Sequence, residues 1–170
     1  MTTERRPATE EEVRTLASPL RLRILRLCLD VSLTNKEIAE RLGKDPASVL
    51  YHVRRLVRTG FLVAEQERRG TRGAREVPYR STLKSWTLSV GDSENPRRGV
   101  NTLVETFVQD AARIGFEKVD STRMGLRLTP EEYDELAHRL HELVEEFRLR
   151  GSTGAPWSLF IGLHPDDRPV

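Results

Sequence analysis

Thr34-Asn35-Lys36-Glu37-Ile38-Ala39-Glu40-Arg41-Leu42-Gly43-Lys44-Asp45-Pro46-Ala47-Ser48-Val49-Leu50-Tyr51-His52-Val53-Arg54-Arg55-Leu56-Val57-Arg58 is the stretch that decides the fold. Thr34 and Glu37 have the spacing of a capping box, and Ile38, Ala39 and Leu42 follow at helical intervals until Gly43 stops the run. Asp45 then serves as a cap for a second helix that carries Pro46 at its first position, where a missing N–H costs nothing. Two short helices joined around a glycine predict a helix-turn-helix. In the second helix, residues 46–58, Val49, Leu50, Val53, Leu56 and Val57 share one face. Ser48, Tyr51, Arg55 and Arg58 lie opposite, with His52 and Arg54 at the margins and no acid after Asp45. A merely solvated helix usually mixes charge signs. This one offers hydroxyls and guanidinium groups, as a helix entering a major groove would.

Upstream, Thr9 and Glu12 make another capping box, and Ser18-Pro19 opens a helix whose wide apolar stripe predicts burial. Cys28 lies on that stripe and reads as a small core residue; a single cysteine can form neither an internal disulfide nor a thiolate metal cage. Downstream, residues 61–65 and 77–82 read as strands around a loop with Arg68, Arg69, Arg72 and Arg75 against one acid, Glu76. Pro78 predicts an edge or a bulge for the returning strand. Strand, basic tip and strand after a helix-turn-helix describe a wing suited to phosphates or a minor groove.

Residues 17–82 resemble the winged helix-turn-helix domain of ArsR-type bacterial transcription regulators. The resemblance rests on Ala17-Ser18-Pro19-Leu20-Arg21-Leu22-Arg23-Ile24-Leu25, on Glu37-Ile38-Ala39-Glu40-Arg41-Leu42, and on Ser48 to Leu56 running into Gly60-Phe61-Leu62. It covers under half of the chain. It implies a homodimer that binds operator DNA, usually as a repressor relieved by a ligand; a cytoplasmic location is expected because the N-terminus lacks a signal peptide's apolar core. Metal-sensing members carry paired cysteines before the recognition helix, and Thr34 to Gly43 has none, so a thiolate metal sensor is not expected.

Charge divides the chain. Of 170 residues, 28 are Lys or Arg and 26 Asp or Glu, a net of +2. Residues 1–100 hold 20 basic against 13 acidic side chains, a net of +7; residues 101–170 hold 8 against 13, a net of −5. The basic half predicts a polyanion partner. No run approaches the roughly 18 apolar residues of a membrane span, and the first seven residues lack a signal peptide's apolar core.

The expected architecture is α+β, with a winged domain over residues 1–90, a linker over 91–99, and a dimerisation helix with a small βαβ-like unit over 100–170. Val100, Leu103, Val104, Phe107, Val108, Ala111 and Ile114 form one stripe, which is expected to pack on its copy in a second subunit because the winged domain offers no further core. Met124, Leu126 and Leu128 alternate as a strand would, Thr129-Pro130-Glu131-Glu132 opens a helix, and Trp157, Leu159, Ile161 and Leu163 alternate again. On the intervening helix Asp134, His138, His141 and Glu145 fall within about 60° of each other, types suited to zinc. A solvated face is the preferred reading, so neither a metal nor another cofactor is expected. His164 reads as a surface residue. Catalytic motifs are lacking: there is no GxSxG elbow, P-loop, HExxH or dinucleotide fingerprint.

The sites assigned on these grounds are Ser48, Tyr51, His52, Arg55, Arg58, Arg68, Arg69, Arg72 and Arg75 for double-stranded DNA with an inverted-repeat operator. A small-molecule or protein effector would act on the C-terminal half. The alternative is a protein-interaction module that keeps the winged scaffold and uses its acidic half as the partner surface.

Overall fold

The computed structural model describes residues 5–69, 75–94, 96–151 and 153–166, and these fall into two compact units, Thr3–Ile114 and Gly115–Val170. The first unit begins with β1 (Arg6–Pro7) and α1 (Glu10–Leu16), where Thr9 and Glu12 complete the predicted capping box. Helix α2 (Pro19–Leu27) starts at Ser18-Pro19, although the Ser18 side chain makes no capping bond. After β2 (Leu33–Thr34), α3 (Asn35–Leu42) carries its Thr34–Glu37 capping box and ends at Gly43, which takes the left-handed conformation at φ 60°. Asp45 accepts from the Ser48 N–H to cap α4 (Pro46–Arg58), so both helices of the motif have the predicted bounds.

The wing corrects one expectation. Strands β3 (Leu62–Ala64), β4 (Arg68–Arg69), β5 (Arg75–Glu76) and β6 (Pro78–Ser81) follow α4. Strand β6 is not an edge: it pairs antiparallel with β3 on one side and β2 on the other. Pro78 is tolerated because it is the first residue of the strand, and its carbonyl accepts from the Glu65 N–H at 2.9 Å. The β2 pairing, Leu33 with Tyr79 and Thr34 with Pro78, is too short to leave a period in the sequence. Beyond a 3-10 turn at Lys84–Thr87, β7 (Leu88–Ser89) pairs in parallel with β1 and ties the N-terminal arm to the domain.

The core is one cluster. Ile24, Ile38, Val49, Val53 and Leu56 have no exposed surface, and Cys28, Phe61, Leu62 and Leu88 pack with them. Burying each of these larger aliphatic side chains stabilises the fold by roughly 1.5–3 kcal/mol. Burial also pushes the Cys28 thiol up to about 11, as a core role requires.

Helix α5 (Pro96–Ile114) belongs to this unit rather than to the C-terminal one. It lies against α1 and α2, which supply packing surface within the same unit, contrary to the expectation that the winged domain has no further core to offer. Gly99 makes the close approach workable: a Cβ there would fall 2.3 Å from Val90 Cγ1 and 3.1 Å from Val13 Cγ1. Leu103 packs on the core, Thr106, Asp110 and Ala111 are buried, and Phe107 is half-buried. Val100, Val104, Val108 and Ile114 stay 38–48% exposed. The face docked on the domain is thus turned to one side of the predicted stripe.

The second unit contains α6 (Pro130–Leu149), with the predicted Thr129–Glu132 capping box and no buried residue. The βαβ-like arrangement is not formed. Residues 124–128 and 157–163 carry no strand pairing, and Met124 is 74% and Trp157 89% exposed. Alternation is a necessary sign of a half-buried strand but not a sufficient one, and a two-stranded sheet is marginal alone. No helix among the described residues is long and apolar enough to cross a membrane.

Candidate nucleic-acid interface

Helix α4 owes its orientation to Val49, Val53 and Leu56, which anchor one side in the core and turn the opposite side outward. Tyr51 is 64% exposed; Ser48, Arg54 and Arg58 are exposed, and Arg55 and His52 half-buried. Tyr51, Arg54, Arg55 and Arg58 line one shallow cleft of about 240 Å³. Arg54, set at the margin on helical spacing, therefore belongs to this face.

Several side chains in the face are already engaged. Arg55 Nε donates to Thr15 Oγ1 at 3.3 Å, and Arg58 lies 3.6 Å from Glu11. His52 Nδ1 sits 3.3 Å from Arg21 Nη1. Arg21 is only 8% exposed and was not among the residues assigned from sequence. Burial first, then the positive charges of Arg21 and Lys44, lowers the His52 pKa below its ordinary value.

The wing contributes unequally. Arg68 donates to both oxygens of Glu37, at 2.7 and 2.8 Å, which ties the wing to α3. This contact and the Thr34 amide together lower the Glu37 pKa, with the amide hydrogen bond the larger cause. Arg69 is exposed, and Arg75 is exposed with Glu67 at 3.7 Å. Arg72 lies outside the described residues.

Residues 16–64 match a helix-turn-helix domain family. The match spans the core motif and leaves the wing's return, α5 and the second unit outside it. No curated protein matches the chain. Among solved structures, a winged helix-turn-helix DNA-binding domain from Mycobacterium bovis, described as homodimeric and as a possible ArsR-family regulator, is 19% identical. That alignment covers 65% of this chain and 82% of that one, with a TM-score of 0.35. The adhesin competence repressor of Streptococcus pyogenes is 18% identical over 76% of this chain and 80% of that one, at a TM-score of 0.38. The multiple antibiotic-resistance repressor of Listeria monocytogenes is 17% identical over 81% and 82%, at 0.34.

The remaining candidates are dispersed. On α6, His138 Nε2 pairs with Glu142 at 3.2 Å, and Glu145 accepts from Arg148 Nε at 2.7 Å. Among the described residues no three His, Cys, Asp or Glu side chains converge as Asp134, His138, His141 and Glu145 would have to around a metal. His164 Nδ1 lies against the Pro165 carbonyl, on the surface.

Proposed function

We propose that the chain is a sequence-specific DNA-binding transcription regulator of ArsR type, working in the cytoplasm as a homodimeric repressor on an inverted-repeat operator. One observation carries this reading: α4 buries Val49, Val53 and Leu56 and turns Tyr51, Arg54, Arg55 and Arg58 outward on a helix with no acidic residue. Such a face supplies guanidinium forks for guanine and phosphate, and a hydroxyl for base or backbone. Arg69 and Arg75 extend the positive surface along the wing. The exposed Val100, Val104, Val108 and Ile114 support pairing through α5, since a two-fold interface would cover them on both copies.

Titration of duplex DNA at several salt concentrations tests it. The affinity should fall steeply with salt, with a slope of about −0.9 for each phosphate neutralised. A flat salt dependence would favour the alternative of a protein-interaction module. That alternative has its own support in the apolar groups exposed on the second unit, such as Trp157, Leu159 and Phe147.

A further inference from the structure

The contact between α2 and the margin of α4 points to a positioning residue. We propose that Arg21 holds His52 as the tautomer protonated on Nε2, so that His52 presents one hydrogen-bond donor, and no acceptor, to a base edge in the major groove. The base-reading part rests on the DNA-binding function above; the tautomer does not.

Arg21 is held from three directions. Its Nη2 donates to the Arg14 carbonyl at 2.8 Å, its Nε donates to the Thr15 carbonyl, and its Nη1 lies 3.3 Å from His52 Nδ1. A guanidinium has donors and no acceptor, so Nδ1 in this pair accepts and the ring proton resides on Nε2. The Tyr51 ring meets the imidazole edge-on at a centroid distance of 5.3 Å. Thr15 joins the two halves of this assembly, because its carbonyl holds Arg21 while its hydroxyl holds Arg55.

The charged groups near the pair are cations: Arg21 from α2, Lys44 from the turn before α4, and Arg55 and Arg98 beside Arg21. Protonating His52 would set donor against donor at Nδ1 and add charge to a positive, half-buried site. The ring is therefore neutral at pH 7, with Nδ1 occupied. In the major groove a lone donor finds acceptors on purine N7, guanine O6 and thymine O4, whereas cytosine shows its amino donor. At the base pair facing His52, acceptor-bearing edges should be preferred over a cytosine amino edge by about fivefold, the value of one hydrogen bond.

Two measurements on the full chain decide this. Long-range proton–nitrogen NMR of histidine-labelled protein at neutral pH, assigned with His52→Ala, should show His52 unprotonated at Nδ1 and protonated at Nε2. In Arg21→Met the two tautomers should mix, and Arg21→Lys, which keeps a donor, should restore much of the wild-type pattern. A protonated ring or an Nδ1–H tautomer in the wild type overturns the proposal, whether or not the Arg21 variants fold. Selection from random duplexes then tests the base contact. His52→Ala should lose the fivefold preference at one position in each half-site while the salt slope is kept. An unchanged preference in His52→Ala would overturn the base-reading part. Absence of any duplex binding by the wild type would instead overturn the DNA-binding function, with the tautomer standing.

Discussion

Arg68 donates to both oxygens of Glu37, Arg54 projects from α4, and Arg55 leans on Thr15; three arginines that look alike in sequence have three different tasks. Arg54→Ala should weaken all duplexes about equally and reduce the salt slope by about one unit, as loss of a phosphate contact does. Arg55→Ala should relax sequence preference and cost about 1–3 kcal/mol of operator binding. Anisotropy titrations with operator and scrambled duplexes separate the two; a specificity change confined to Arg54→Ala would reverse the assignments. Glu12 sets a different kind of test. Glu12 is 5% exposed, and its carboxylate accepts from Arg6 at 2.7 and 2.9 Å, from Lys84 at 2.7 Å and from the Thr9 amide at 2.9 Å. The Arg6 hydrogen bonds first, then those of Lys84 and Thr9, hold its pKa far below the carboxylate range against the opposing effect of burial. A lowered folded-state pKa gives stability that is present above the unfolded value, near 4.3, and lost as pH falls toward the folded one. Glu12→Gln should therefore cost about 1–3 kcal/mol at pH 7. In urea melts the gap from wild type should shrink progressively below about pH 4; a gap that widened with acid would refute this account.

At the scale of elements, α5 is the instructive case. Asp110, on α5, receives Arg26 Nη1 at 2.9 Å and Arg23 Nε at 3.2 Å from α2, with Arg113 at 3.5 Å on its own helix. This ionic clamp and the Gly99 approach fasten opposite ends of the helix to the domain that carries α4. The sequence showed an apolar stripe, of which Leu103 and Ala111 are covered, and no sign that Gly99, Thr106 and Asp110 would share the docked face. Hydropathy marks apolar side chains, whereas this contact uses a missing side chain and a carboxylate between arginines. Gly99→Ala should lower the melting temperature, since its Cβ would displace Val90 and Val13; overpacking of this kind typically costs about 1–3 kcal/mol. A calorimetric scan in which Gly99→Ala melted at or above the wild-type temperature would show that α5 does not sit so close.

Across the whole chain, a domain with a basic outward helix is followed by a unit in which α6 has no fully buried residue. Residues 3–114 hold the wing, the helix-turn-helix and α5 together, so truncation after Ile114 should leave duplex binding within about threefold of the full chain if pairing runs through α5. Truncation after Gly91 removes α5 and should weaken operator binding by 100-fold or more, because the second half-site no longer contributes its effective concentration. Val104→Glu tests the same surface with little penalty to the folded subunit, as Val104 is 41% exposed. Sedimentation should show monomers and operator affinity should drop sharply. A Val104→Glu protein that stayed dimeric would move the interface elsewhere.

The bounds of α3 and α4 and the start of α6 were legible residue by residue, because caps, first-turn prolines and terminal glycines act through bonds three or four residues apart; α5 begins at Pro96, inside the stretch read as a linker over 91–99. The inward and outward faces of α4 were legible for the same reason. Contacts between segments distant in the chain were not. The β2–β6 pairing joins residues 33–34 to 78–79, the Arg21–His52 contact spans 31 positions, and Arg68 reaches back 31 to Glu37. Equally, alternation at Met124–Leu128 and Trp157–Leu163 marked two apolar edges without supplying the neighbour that would make them strands. Local chemistry determined the elements and the polarity of their faces; which arginines are free, which histidine nitrogen holds the proton and which face of α5 is covered were decided only when the chain brought those groups together, because such choices depend on partners that no local pattern encodes.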